Sequence, residues 1–167
     1  DIQAFEIVSN PPHLIVPVRV ANKARGNTFG LETATDWQVT SRLRMRASYS
    51  YFQMDLKVSE DSFDTVTETS ADENPVHQLN VRAHLDWSPT WRTNLIVRYV
   101  DQLETQEIKR YVTTDARLEW RPIPAFTLSL VGQNLLKGQH PEYISMSVGT
   151  IPTEVKRRIY GIVDWRF

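Results

Sequence analysis

The 167 residues carry 19 Lys and Arg against 20 Asp and Glu, a net charge of −1, so the bulk balance gives nucleic acid no hold. Cysteine is absent, which excludes disulfide frameworks, thiolate metal sites and cysteine nucleophiles together, and suits a chain that crosses an oxidising periplasm. No run approaches the roughly 18 consecutive apolar residues of a membrane-spanning helix, but alternating barrel strands give a far weaker hydropathy signal and stay open as a reading.

In chain order, period two dominates. "QAFEI" reads as the stub of a strand, and about Leu14 to Gln38 as one long strand, irregular near Gly26. Its second half sets Phe29, Leu31, Trp37 and Val39 against Glu32, Asp36 and Gln38, with Thr33 and Thr35 in outward positions. A hairpin at Asn22–Asn27 is the competing division. It would put the Pro-rich segment Asn10–Pro12 on the short-turn side. "RLRMRASYSY" opposes Leu43, Met45, Ala47, Tyr49 and Tyr51 to Arg44, Arg46, Ser48 and Ser50. "QLNVRAHLDW" opposes Leu79, Val81, Ala83, Leu85 and Trp87 to Gln78, Asn80, Arg82, His84 and Asp86. "WRTNLIVRY" and "YVTTDARLEW" repeat the pattern, with Arg98, Asp115, Arg117 and Glu119 on the polar faces. "FTLSLVGQN" follows, and the closing "IYGIVDWRF" places Ile159, Gly161, Val163, Trp165 and Phe167 on one side.

The connections alternate in length. Val39–Arg42, Ser88–Thr90 and Arg121–Ala125 are short, whereas Val58–Pro75, about Gln102–Ile108, and Lys137–Thr153 are long and polar. Short turns at one end and long loops at the other are the habit of outer-membrane barrels. Trp37, Trp87, Trp91, Trp120, Phe126 and Trp165 sit beside the short-turn end, where an interfacial aromatic girdle belongs.

The fold class expected is therefore all-β: an antiparallel transmembrane β-barrel segment of about 7–8 long strands. Its turns are short and periplasmic, and its loops long and extracellular. Two other readings remain, a soluble β-sandwich or lipocalin-like binding barrel, and a small complete eight-stranded barrel with a structural or adhesin-like role. In a membrane the register is forced: slipping "QLNVRAHLDW" by one residue turns Arg82 toward lipid, at roughly 2–4 kcal/mol near the midplane.

Family motifs sharpen this. "GQNLLKGQHPEY" followed by "TEVKRRIYGIVDWRF" resembles the C-terminal end of TonB-dependent outer-membrane receptors, with a Gly-x-Asn-Leu element and a last strand ending in Phe. "NTFGLETATDWQVTSRLRMRASYSYFQMDL" is similar to the Gly-x-Glu strand and Tyr-rich strand of that family, and "NPVHQLNVRAHLDW" to the Pro-initiated strand that follows. The resemblance spans roughly residues 20 to 167. It implies a 22-stranded barrel closed by an N-terminal plug, of which residues 1–167 form the C-terminal part of the barrel without a plug domain. The start at Asp1, without Met or a signal segment, fits a mature protein or a piece of one.

By the same resemblance the chain is no enzyme. It takes part in energised uptake of a bulky nutrient, such as an iron–siderophore or cobalamin-like ligand, across the bacterial outer membrane. Partners implied are outer-membrane lipid, the plug of the same receptor, the TonB energy-coupling protein acting through that plug, the nutrient and the barrel-assembly machinery. That machinery would recognise the terminal pattern Ile159, Gly161, Val163, Trp165 and Phe167. Arg82, Arg98, Asp115, Arg117 and Glu119 are candidates to face the lumen and plug; pairing solely with one another is the alternative.

No cofactor is expected. His13, His77, His84 and His140 lack metal-ligand spacing, and "DSFDTVTETSADE" lacks the regular oxygen spacing and glycine turn of a calcium loop. No nucleophile triad, phosphate cradle or carboxylate pair is arguable from these strands. In "VKRRIY", Lys156 and Arg158 are expected to face the lumen, and Arg157 to snorkel at the upper interface.

Overall fold

A computed structural model describes residues 6–9, 11–15, 20–144 and 153–167, with only the backbone of Glu6 and Leu14. Its strands, in chain order, are β1 (Glu6–Ser9), β2 (Pro12–Ile15), β3 (Ala24–Gln38), β4 (Leu43–Val58), β5 (His77–Asp86), β6 (Trp91–Val100), β7 (Tyr111–Ile123), β8 (Phe126–Gln133), β9 (Gln139–Pro141), β10 (Glu154–Lys156) and β11 (Arg158–Trp165). One 3-10 turn, Thr69–Glu73, lies between β4 and β5.

Seven strands form one sheet in the order β11-β8-β7-β6-β5-β4-β3, and every pairing in it is antiparallel. β3 to β8 therefore form an uninterrupted meander of neighbours. Ten residues, the length of β5 and β6, extend about 34 Å, and tilted by about 45° they cross the roughly 25 Å apolar band of an outer membrane. β3 and β4, at 15 and 16 residues, run well past that band on the long-loop side.

The turns follow from local chemistry. At β3–β4 the Thr40 hydroxyl accepts the N–H groups of Arg42 and Leu43, at 3.2 and 3.0 Å, and the Val39 N–H donates to Leu43 O at 2.9 Å. At β5–β6 the Ser88 hydroxyl accepts the Trp91 N–H at 3.1 Å. β7 runs further than the sequence implied, through Pro122, so that the turn to β8 shrinks to Pro124–Ala125. The pairing register shifts between Trp120 and Ile123, and such a bulge is where a strand tolerates a proline without an N–H.

The expected single strand from Leu14 to Gln38 is corrected. β2 pairs with β1 as a separate two-stranded hairpin, residues 20–23 are not in a strand, and β3 begins at Ala24. Pro17, which has no N–H to donate to a ladder, stands in the sequence between the two strands. The stub read in "QAFEI" overlaps β1 only at Glu6 and Ile7, its other residues lie outside the described ones, and β1 does not join the main sheet. The competing hairpin at Asn22–Asn27 does not form either, since Ala24 to Asn27 pair with Val58 to Asp55. Between β8 and β11 the chain also makes a small β9–β10 ladder, Gln139↔Lys156 to Pro141↔Glu154.

Few side chains are fully buried. Among the described residues, Leu103, Ile108 and Val131 are the buried apolar ones, and Gln106, Thr113, Ser129, Asn134 and His140 the buried polar ones. They gather on β7, β8 and the long connections beyond them. There Leu103 and Ile108 bridge backbone to backbone, and Gln106 Oε1 accepts the Ile144 N–H at 3.1 Å. A single sheet layer has no second layer to bury its faces against. β3 and β11, with one neighbour each, are exposed along their whole length.

Candidate functional site

Because paired residues share a face, the register writes the chemistry of each face in rows. One row reads Trp37, Met45, Ala83, Leu95, Ala116, Gly132, Ile159 across all seven strands. A second, through Leu43, Leu85, Thr93, Leu118, Leu130 and Gly161, is almost as apolar. The opposite face reads Gln38, Arg44, His84, Asn94, Arg117, Val131, Tyr160 in one row and Asp36, Arg46, Arg82, Ile96, Asp115 in another.

The charged face is a network of short ion pairs. Arg44 donates from Nε to Asp36 Oδ1 at 2.7 Å and from Nη2 to Oδ2 at 2.6 Å, while Arg46 Nε reaches the same Oδ2 at 2.8 Å. Arg92 Nε donates to Asp86 Oδ1 at 2.8 Å. Arg98 donates to Asp115 Oδ2 at 2.5 Å and to the Thr113 hydroxyl at 3.2 Å. Arg117 Nη2 donates to the Ser129 hydroxyl at 3.1 Å. Its Nε lies 2.7 Å from Glu119 Oε1 but outside hydrogen-bonding alignment, so that contact is an ion pair alone. His84 Nδ1 lies 2.7 Å from Asn94 Oδ1. A groove of about 650 Å³ opens over this wall, lined among others by Arg44, Arg46, Arg82, His84, Asp115 and Arg117.

Of the five residues expected to face a lumen, four pair with one another, Arg98 with Asp115 and Arg117 with Glu119. Arg82 stands apart: its Nε donates to Asn80 Oδ1 at 3.3 Å, and it meets no carboxylate among the described residues. Asp36, Arg44, Arg46 and Arg92 belong to the same wall and were not singled out from the sequence; Asp86, which the sequence sets beside Arg82, pairs with Arg92 instead. Alternation gave their face, but only the register brings them together.

The chain matches the family described as TonB dependent receptor-like, beta-barrel, over residues 6–135, well over half its length. It belongs to the TonB-dependent receptor β-barrel family. No curated protein and no solved structure matches it. Membership removes the lipocalin-like reading, and the sheet, open at β3 and β11, does not close as a small complete barrel. The family is one of outer-membrane receptors and transporters rather than enzymes. Among the described residues, no helix is long and apolar enough to cross a membrane.

The TonB-dependent receptor match ends at Leu135, the last residue of the Gly-x-Asn-Leu element, and the structure gives that element a physical role. Asn134 leaves β8 with φ 52°, in the left-handed region that asparagine tolerates. Its N–H donates to Asp115 Oδ1 at 2.9 Å and its Nδ2 to Val155 O at 3.0 Å, while the Leu135 N–H donates to Thr114 O at 2.9 Å. A Cβ on Gly132 would stand 2.7 Å from Leu135 Cδ2, so the glycine leaves room for that side chain to fold back. One motif thus ties β8 to β7 and to the segment entering β11.

All five tryptophans of the chain lie beside the three short turns and are exposed; Phe126, opposite Trp165, is half-buried. Trp91 and Trp120 face each other across β6 and β7 with ring centroids 6.0 Å apart, stacked at 28°. In β11, Ile159, Gly161, Val163 and Trp165 share the apolar face with Gly132, Leu130, Leu128 and Phe126 of β8, and Phe167 follows, fully exposed. Arg158 lies opposite Gln133, on the charged face; Lys156 belongs to the β9–β10 ladder, and the Arg157 N–H donates to Gly138 O at 2.9 Å.

The histidines stay apart. His13 lies 2.6 Å from Pro11 O, His77 2.8 Å from the Tyr49 hydroxyl and His140 3.1 Å from Glu142, and no group able to hold a metal ion occurs among the described residues. The acidic loop after β4 folds on itself around Asp64, which accepts the N–H groups of Val66 and Thr67 at 2.8 and 3.0 Å and the Thr67 hydroxyl.

Proposed function

We propose that this chain is the C-terminal portion of the barrel of an outer-membrane TonB-dependent receptor, taking part in energised uptake of a bulky nutrient such as an iron–siderophore or cobalamin-like ligand. The observation that carries the reading is the two-faced sheet. A continuous apolar row crosses seven strands on one side and a wall of ion pairs stands on the other, within a chain of this family. In this reading lipid meets the apolar face, and the exposed tryptophans form the periplasmic girdle. The charged wall lines the lumen, where Arg82, Arg98, Asp115, Arg117 and Glu119 flank the plug.

The barrel is then a scaffold. The long connections after β4, β6 and β8 contribute to capture of the ligand outside, and TonB acts through the plug. No bond is made or broken by these residues. β11, with Phe167 after it, serves as the signal for the barrel-assembly machinery.

The test is uptake by cells carrying the full receptor, with and without TonB, using labelled ferric siderophores and cobalamin as probes. Uptake of at least one probe should require both the receptor and TonB, with the receptor in the outer-membrane fraction. Recovery of the receptor in the soluble fraction, or receptor-dependent uptake unchanged without TonB, would overturn the reading.

A further inference from the structure

Arg46 and Arg82 lie directly opposite each other on β4 and β5, on the same face. Like charges in that position repel, and a sheet carries them only where a counter-charge or water intervenes. Asp36, in the same row, is already shared: Arg44 takes both of its oxygens and Arg46 one of them. Two guanidinium groups therefore share a single carboxylate, and the third, Arg82, has only the Asn80 side chain as acceptor.

The other acids of the wall do not supply the missing charge. Asp86 is engaged by Arg92, Asp115 by Arg98, and Glu119 by Arg117. Glu32 pairs in register with Ser50, four residues along β4 from Arg46, about 13 Å away. What remains is an exposed pair of forked donors facing the groove, part of the way up the wall from the short turns. Two parallel N–H donors match the two oxygens of a carboxylate.

We propose that Arg46 and Arg82 form a seat for an aspartate or glutamate side chain of the domain that fills the lumen in the same receptor. This rests on the lumenal reading of the charged wall given above. The occupant is a protein carboxylate because the seat lies inside the groove, where a body filling the lumen strips water from it. A guanidinium desolvated without a partner is strongly unfavourable. A carboxylate held by the packed domain meets that need permanently, which a diffusing anion does not. The seat thus fixes the domain against β4 and β5, whereas Arg98, Asp115, Arg117 and Glu119 of β6 and β7 pair with one another.

The experiment uses the full receptor, carrying Arg82→Glu, Arg46→Glu or Arg82→Lys, in planar bilayers. Heat-modifiable migration on gels checks that each barrel is folded, and the unmodified receptor must itself be closed to ions. That control tests the lumenal reading separately. Arg82→Glu and Arg46→Glu should raise the frequency of open-channel events about tenfold, the size expected for losing one close ion pair in the lumen, and Arg82→Lys should stay near the parent. A second-site Asp or Glu to Lys change in the lumen-filling domain should restore closure to Arg82→Glu. Folded Arg82→Glu and Arg46→Glu barrels that remain as closed as the parent would overturn the proposal. So would closure of the unmodified receptor that varies with added phosphate or acetate, since the seat would then take a free anion.

Discussion

At the scale of the residue, Asn134 carries more of the fold than its place in a loose motif suggested. "GQNLL" is legible as a family element, but the sequence does not say why asparagine is used. The reason is a coincidence of two demands: a left-handed backbone at φ 52°, and a buried side chain that donates to Val155 O. Asn134→Gly meets the first demand and loses the hydrogen bond, at about 1 kcal/mol; Asn134→Ala loses both, at roughly 2–3 kcal/mol. Urea unfolding of the refolded receptor in detergent should therefore rank the parent above Asn134→Gly, and Asn134→Gly above Asn134→Ala. Equal losses for the two variants would show that backbone conformation is irrelevant there. The self-paired charges of the wall were less legible. Arg98, Asp115, Arg117 and Glu119 were visible as polar-face residues, but Asp36 with Arg44 and Arg46 emerges only when β3 and β4 are laid in register.

At the scale of the element, alternation made the long strands of the sheet readable, because successive side chains point to opposite faces of a strand. It failed where pairing is local and short: the β1–β2 hairpin, the β9–β10 ladder and the 3-10 turn have too few residues for a period to show. The acidic connection after β4 illustrates the same limit, since Asp61, Asp64, Glu68, Asp72 and Glu73 look alike in sequence. Only Asp64 is held by the Thr67 hydroxyl first and then by the N–H groups of Thr67 and Val66, and these donors lower its carboxyl from 3.8 to about 2. The folded pKa lies below the ordinary value, so the turn's contribution is full above pH 4 and disappears as pH falls toward 2. NMR titration of the full receptor in micelles should give a carboxyl midpoint near 2 for Asp64, with the Val66 and Thr67 amide shifts moving in the same window. A midpoint close to 3.8 would mean that these donors do not hold the turn in solution.

At the scale of the whole molecule, the seven-stranded sheet is unfinished on both sides. β3 and β11 each leave one row of backbone N–H and C=O groups unpaired, and in a membrane every such group must find a partner. In the function proposed above, neighbouring strands of a larger barrel supply it, and insertion must bring them together. This gives Phe167 a separable role. The Arg166 N–H still donates to Ala125 O at 2.9 Å, so the chain is tied to the β7–β8 turn up to that point, whereas Phe167 is fully exposed beyond β11. A receptor lacking Phe167 therefore loses no pairing within the sheet. If Phe167 serves assembly, the shortened receptor should refold in detergent with the parent's unfolding midpoint, yet reach the outer membrane of cells in lower amount. The measurement is heat-modifiable receptor in the membrane fraction set against refolding yield in vitro. Equal membrane levels would remove the assembly role. An equal loss in both settings would instead make Phe167 a structural residue of the barrel rim.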